Sequence, residues 1–432
     1  MSFRGMKAVL LAYGGIGALL AATADANAGG FAVREQSAWG QGTSYAGVAA
    51  GGDLSAMFWN PATMTQMPGF QSESVLSGIL PSASNTAGAA STLAAFGGTG
   101  NTADAALVPS SYYSWQFRPD MWLGLSVNSP FGLAVNFPII WAGRDYAAGS
   151  SYLKTYNATP SFAYRISDLI SIGFGVQVQY AKADLSLGPT PGTIALTELS
   201  GHGWGYGFTA GVTVTPTPTT TIGLGYRSAI NQKIDGTISF TGFPIVLPTS
   251  NIGTTVNLPD TVSLGLRQRL TPQWTGLATV EWTNWSRIGT SVVSGAPLPT
   301  TLPFQYKDGW LFSLGAEYMM TEKMKLRGGV GFEKSPITDD VRIPLLPDND
   351  RYWLSVGASY QMTPKLSFDL AYSHVFVKST PINVTSTSGN PWFDGFNDYI
   401  GSVDSHIDII SVAMKYRWDS PAAAPKSTLY HK

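Results

Sequence analysis

The chain has 432 residues, no Cys, 12% charged residues and a formal net charge of -1, so neither a disulfide framework nor a basic nucleic-acid-binding face is available. It is nonetheless 44% hydrophobic and 12% aromatic, with 48 Gly, and no segment after the N-terminus is an uninterrupted apolar run long enough for a spanning helix. If such a chain is exported, an outer-membrane β-barrel would hide its apolar surface, because closing the sheet pairs every backbone group while alternate side chains face lipid.

Arg4 and Lys7 precede an apolar run from Ala8 to Leu20 and then Ala26-Asn27-Ala28, the charge, core and cleavage pattern of a secretory signal. The run is about 13 residues where a membrane anchor needs ~20, so residues 1–28 are expected to be removed and the mature chain to start at Gly29. From Gly29 to Met67 the chain is rich in Gly and Ala and closes on Trp59-Asn60-Pro61-Ala62. Small residues allow close backbone packing in a confined lumen and Pro61 fixes a turn, so residues 29–67 are expected to form a hatch inside a barrel spanning 68–418. The Asn60-Pro61-Ala62 turn is expected beside a gap in the third strand.

The segment Ser82 to Ala106 carries neither strand alternation nor much charge and is expected to be the first extracellular loop. The third strand starts at Met121 and is interrupted at Asn128-Ser129-Pro130-Phe131-Gly132 before Leu133. Proline lacks an amide hydrogen and glycine permits a bend, so this segment is either an opening in the wall or an ordinary strand end entering a loop. Farther on, Ile172, Phe174, Val176, Val178 and Tyr180 alternate with Ser171, Gly173, Gly175, Gln177 and Gln179. Lys182 continues the lipid face, which suggests a snorkelling side chain at the rim. Leu326, Val330 and Phe332 alternate with Lys325, Arg327 and Glu333, and Ile410, Val412, Met414, Tyr416 and Trp418 with Ser411, Ala413, Lys415 and Arg417. A soluble sandwich would alternate too, but its apolar faces would not so regularly end in Tyr and Trp, which suit the membrane interface.

Six tight turns punctuate these strands: 118–120, 166–168, 216–218, 271–273, 321–323 and 363–365. Longer connections alternate with them, as at 236–259, 291–304 and 380–402. With both barrel ends periplasmic, six internal turns separate seven strand pairs, hence fourteen strands. Residues 419–432 would form a periplasmic tail.

Parity places Arg227, Arg267, Arg269, Glu281, Glu317, Lys325, Arg327, Glu333, Asp369, Lys415 and Arg417 in the lumen. Most such charges pair with one another in a hydrated interior; an unpaired arginine among Arg227, Arg267, Arg269 and Arg327 would hold a carboxylate by a bidentate contact. Of the four histidines, His406 has Asp404, Ser405 and Asp408 nearby but faces outward near the rim without an evident catalytic constellation. Gly40-Gln41-Gly42 lacks the strand-loop-helix setting of a dinucleotide site, and no closely spaced His pair or Cys suggests a metal. The expectation is a non-enzyme without cofactors.

At this point the chain is similar to the long-chain fatty acid transporters of the Gram-negative outer membrane, a family whose other members carry aromatic hydrocarbons. The resemblance covers essentially the whole mature chain. It rests on Gly30-Phe31-Ala32, Ser44-Tyr45-Ala46-Gly47, Asn60-Pro61-Ala62, Asn128-Ser129-Pro130-Phe131-Gly132 and Tyr226-Arg227-Ser228. It continues in Glu281-Trp282-Thr283-Asn284-Trp285-Ser286, Asp350-Arg351-Tyr352-Trp353-Leu354-Ser355 and Ala371-Tyr372-Ser373-His374. Each is short; their order and strand placement give them weight.

The resemblance implies an all-β, fourteen-stranded antiparallel transmembrane barrel plugged by an N-terminal hatch. It also implies passive, ligand-gated uptake of a long-chain fatty acid or other hydrophobic molecule, with lateral exit into outer-membrane lipid at 128–132. A monomer without nucleic-acid partners is expected. The alternatives are an aromatic hydrocarbon channel, or a general diffusion porin, which would need an open polar lumen and no plug. One departure is the tail after Trp418, because such barrels commonly end on an aromatic residue.

Overall fold

The computed structural model describes residues 30–188, 196–242, 248–297 and 299–419. The expected signal, residues 1–28, and the expected tail beyond Asp419 lie outside the described residues.

Fourteen antiparallel strands close into a barrel. They are β1 (Phe70–Ala87), β2 (Ala106–Arg118), β3 (Met121–Asn128 and Gly132–Phe137), β4 (Gly149–Arg165), β5 (Ile170–Leu187), β6 (Leu196–Thr217) and β7 (Thr220–Arg227 and Ile230–Thr241). There follow β8 (Ser250–Leu258 and Thr261–Arg269), β9 (Trp274–Thr283), β10 (Gly309–Met319), β11 (Met324–Lys334), β12 (Arg351–Gln361), β13 (Leu366–Val377 and Thr380–Val384) and β14 (Tyr399–Arg417). Each pairs with its neighbours in sequence, and β1 closes on β14 from Gln71↔Arg417 to Ala87↔Gly401. Closure leaves no exposed sheet edge.

The alternation works as expected on β14: Ile410, Val412 and Met414 are exposed, whereas Ser411 and Ala413 are buried inside. All six tight turns fall between paired strands at one end of the barrel. At the other end the connections hold more strand than expected. β1 runs through Ser82 to Ala87, inside the segment expected to be a loop, and a hairpin of Thr290–Val293 and Thr300–Pro303 occupies the 291–304 connection. The reason is physical: above the lipid band the outer face need not be apolar, so small polar residues form strand without a hydropathy period.

Residues 30–67 fill the lumen with short turns: Ala38–Gln41, capped by the Ser37 side chain, and 3₁₀ turns at Val48–Ala50, Leu54–Phe58 and Pro61–Gln66. Asp53 and Asn60 cap the last two through their side-chain oxygens. The hatch meets the wall where the wall is glycine. A Cβ on Gly223 would lie 1.8 Å from the Ala49 carbonyl oxygen, and one on Gly329 2.2 Å from that of Thr43. The inward glycines on alternate positions thus make room for backbone. Trp39, Tyr45, Met57, Trp59 and Met64 of the hatch then pack with Val75, Trp122 and Trp353 of the wall in one buried cluster. A second cluster, including Trp141, Tyr146, Ile343 and Tyr399, lies under the long loops.

Candidate functional site

The interruption of β3 is a one-sided break. Its first piece pairs with β4 as far as Asn128↔Asn157, and its second resumes at Gly132↔Lys154, so Ser129, Pro130 and Phe131 face only Thr155 and Tyr156. That is a bulge. Toward β2, pairing stops at Val127↔Ser111, and the upper piece instead meets the loop before β2 through Ala103↔Val135.

The hatch's leading segment satisfies the groups left open. Val33 N donates to the Pro130 carbonyl at 2.8 Å and Gly132 N to the Phe31 carbonyl at 2.9 Å. Gln36 acts as a rung: its Nε2 donates to the Ser129 carbonyl at 2.8 Å, while its Oε1 accepts from Ser110 Oγ at 2.7 Å and Asn128 Nδ2 at 3.3 Å. Tyr112 hydroxyl donates to the Gln36 carbonyl at 2.7 Å. The wall between β2 and β3 is therefore completed by the plug.

This corrects the expected position of the Asn60-Pro61-Ala62 turn. Asn60 Nδ2 donates to the Val212 carbonyl on β6 at 2.9 Å and to the Ala49 carbonyl at 2.8 Å, and Ala62 N donates to Asn60 Oδ1 at 3.0 Å. A Cβ on Gly173 of β5 would lie 2.4 Å from Ala62 N. The turn braces the hatch against β5 and β6, while the extended Phe31–Gln36 segment, which has a free backbone edge, bonds to the gap.

The four candidate arginines separate by their partners. Arg267 pairs with Glu317, which also takes Lys325 at 3.6 Å and accepts from Trp39 Nε1 at 2.7 Å. Arg327 is fully buried and lies 2.6 Å from Asp369, which Lys415 reaches at 2.7 Å; Lys415 also pairs with Asp53 of the hatch. Arg269 is exposed beside a tight turn at the end of its strand, where it donates to the Pro218 carbonyl at 3.3 Å. Arg227 is different. It is half-buried, donates to the Phe58 carbonyl at 3.0 Å and to Gln177 Oε1, and has no carboxylate in ion-pair contact among the described residues. Sequence reasoning missed Arg34 and Gln36 of the hatch; Arg34 bridges Glu281 and, at 3.0 Å, Glu333.

Two cavities adjoin this region. The upper one, about 1120 Å³, is lined by apolar side chains such as Leu133, Leu153, Val256, Leu302, Phe304 and Trp392, and Asp184 is the one charged residue on its wall among those described. The lower one, about 670 Å³, is lined by Phe58, Pro130, Phe131, Arg34, Arg227 and Glu281. Phe31 borders the upper cavity and packs edge-on to Phe131 of the lower one, with ring centroids 6.1 Å apart, and to Trp285 at 4.8 Å. On the outside of the barrel, His406 has a partner after all: its ring stacks on His374 at 5.7 Å, and His374 Nδ1 lies 2.7 Å from Asp408.

A closed barrel with alternating apolar outer positions, plugged by its own N-terminus and with that plug completing a broken wall strand, defines a gated membrane transporter. The chain belongs to the outer membrane protein transport protein family (OMPP1/FadL/TodX), whose family model matches residues 19–418. Its place is the outer membrane. It is 28% identical over 409 residues to the long-chain fatty acid transport protein of Salmonella typhi, covering 85% of this chain and 93% of that relative. The crystal structure of a Pseudomonas aeruginosa FadL homologue matches with a TM-score of 0.81 at 23% identity, over 90% of this chain and 100% of that one. The Pseudomonas putida toluene transporter TodX matches with a TM-score of 0.68 at 17% identity, over 90% and 100% respectively. At these identities the two structures speak for the fold.

Proposed function

We propose that this protein takes up long-chain fatty acids across the outer membrane by passive, ligand-gated diffusion, without a catalytic step. The observation that carries the reading is the continuity of chemistry across Phe31: an apolar cavity on one side, and on the other an arginine without a carboxylate in ion-pair contact among the described residues, beside a break in the wall. The upper cavity's lining is almost wholly apolar, which suits an acyl chain. Each buried methylene contributes ~0.8 kcal/mol. The carboxylate then binds the Arg227 guanidinium, and a tail threading past Phe31 displaces it. Because Phe31 and Val33 are bonded to the gap, the same displacement opens the way to lipid.

In this reading residues 1–28 are an export signal, 29–67 the hatch, 68–418 the barrel and 419–432 a periplasmic tail, and the protein works as a monomer. Mass spectrometry of ligand co-purified with the protein, together with oleate and toluene uptake by reconstituted vesicles, tests the substrate. A bound long-chain acid and saturable oleate uptake are expected. Comparable toluene uptake with no oleate binding would move the assignment to aromatic hydrocarbons, and free passage of small sugars would make it a porin.

A further inference from the structure

The lumen side of β6 is bare where it passes between Gln177 of β5 and Arg227 of β7. Trp204, Tyr206 and Phe208 are exposed on its outer side, so Gly205 and Gly207 between them face the lumen. Gln177 is the register partner of Gly207 and, with no side chain in its way, reaches across β6 to β7. A Cβ on Gly207 would lie 3.2 Å from Gln177 Nε2 and 2.7 Å from Ser228 Oγ. Gln177 is buried, and its Nε2 donates at 2.8 Å to the Phe208 carbonyl, which also accepts from Ser228 N at 2.8 Å. Because a carbonyl only accepts, the amide nitrogen must face Phe208, and the amide oxygen is left facing Arg227, whose Nη2 donates to it.

Arg34, Arg267 and Arg327 each meet a carboxylate, of Glu281, Glu317 and Asp369 respectively. At Arg227 an amide stands in that place, and the other acceptor in contact, the Phe58 carbonyl at 3.0 Å, is neutral too. The Phe58 ring, with its centroid 4.1 Å from the guanidinium carbon, helps to hold the cation without cancelling its charge. The charged residues on the wall of the lower cavity, among those described, are Arg34, Arg227 and Glu281. Glu281 is held by Arg34, which also takes Glu333, and by the Ser263 hydroxyl, so it attracts Arg227 only from beyond ion-pair contact.

We propose, on the reading that Arg227 takes the acid head group, that Gln177 determines the specificity of the lower cavity. It fixes the guanidinium in place without neutralising it, and so favours ionised acids over neutral hydrophobic molecules. A glutamate has the same reach but would pair with Arg227 inside the lumen. An incoming carboxylate would then have to displace that partner and leave it buried and unpaired.

Calorimetry of the full mature protein in neutral detergent, at a pH where oleate is ionised, compares oleate with methyl oleate. The wild type is expected to prefer oleate by about tenfold or more, as for a charge-assisted hydrogen bond. Gln177→Glu should abolish that preference while costing little affinity for the ester. Gln177→Met, which removes the amide without adding a charge, should still prefer the acid. Heat-modifiability confirms that each barrel is closed; if the glutamate variant does not close, Gln177→Asp brings the same charge and carries the same expectation. Equal affinity of the wild type for acid and ester would overturn the role of Arg227, and that of Gln177 with it. A wild-type preference that survives in the closed carboxylate variant would overturn the role of Gln177 alone. So would a preference lost equally in Gln177→Met, which would make Gln177 no more than a support of the wall.

Discussion

Arg227 holds its guanidinium 4.1 Å from the Phe58 ring centroid and spends its donors on a carbonyl and an amide oxygen. Neither acceptor carries a charge, so a ligand carboxylate gains a charge-assisted bond there worth ~1.5–3 kcal/mol. Arg227→Gln is therefore expected to weaken oleate binding by roughly tenfold to a hundredfold in calorimetry while leaving methyl oleate unchanged. An equal loss for the ester would show that Arg227 only supports the hatch. Glu35 presents the opposite case, a buried acid whose two carboxyl oxygens have no hydrogen-bond partner among the described residues. Burial pushes it up to about 7; Glu333 pushes the same way, against the charges of Arg34 and Arg351. The unfolded chain releases this proton near 4.5 and the folded hatch near 7, so between those values the folded state binds more protons and stability falls as pH rises. Thermal melts of the hatch, followed by protection from protease, should show that decline between pH 4.5 and 7, and Glu35→Gln should flatten it. A wild-type profile that is level or rises across this window would mean that Glu35 is charged when folded.

At the scale of elements, the plug completes the wall at the β3 interruption and depends on the wall in turn. A Cβ on Gly223 meets the Ala49 carbonyl at 1.8 Å, and one on Gly225 meets the Trp59 carbonyl at 1.9 Å, so backbone and not a pliant side chain blocks the space. Gly223→Val is expected to dislodge the Val48–Ala50 turn without opening the barrel: heat-modifiability stays, the N-terminal segment becomes protease-sensitive, and liposomes swell faster with small sugars. Unchanged protection would show that the hatch is anchored elsewhere. The sequence made the strands legible within the lipid band, where one face must be apolar and the other wet, and the turns legible through Pro, Asp, Ser and Thr. It concealed Ser82–Ala87, because at the rim neither face is constrained. The break at Pro130 and Gly132 was readable, but not what fills it, since the bonds of Gln36 to Ser110 and Ser129 join residues 74 and 93 positions apart. Likewise parity could rank Arg227, Arg267 and Arg327 only as equals; the partners Glu317 and Asp369, 50 and 42 positions from Arg267 and Arg327, tell them apart.

Over the whole molecule, a substrate in the lower cavity has two ways out. Straight through the hatch, it must part Asp53 from Lys415, and Trp39 from the Glu317 that also holds Arg267, all largely buried. Breaking a buried pair by removing one partner costs ~3–5 kcal/mol, and an acyl chain arriving in water would also lose ~0.8 kcal/mol for each methylene it had buried. The sideways route breaks the neutral hydrogen bonds of Phe31, Val33 and Gln36 to the β3 interruption and leads from the lower cavity directly to lipid. Open backbone at that depth is tolerable only while the hatch or water covers it, which accounts for the plug being bonded there. Replacing Pro130 with Val and deleting Gly132 removes the extra residue of the bulge and restores an amide donor, so β3 can pair continuously with its neighbours. Oleate uptake by vesicles carrying this variant is expected to fall to the level of protein-free vesicles, while binding of oleate and heat-modifiability remain. Binding retained with uptake lost places the block at the exit; normal uptake through a properly closed barrel would mean that the substrate leaves through the hatch.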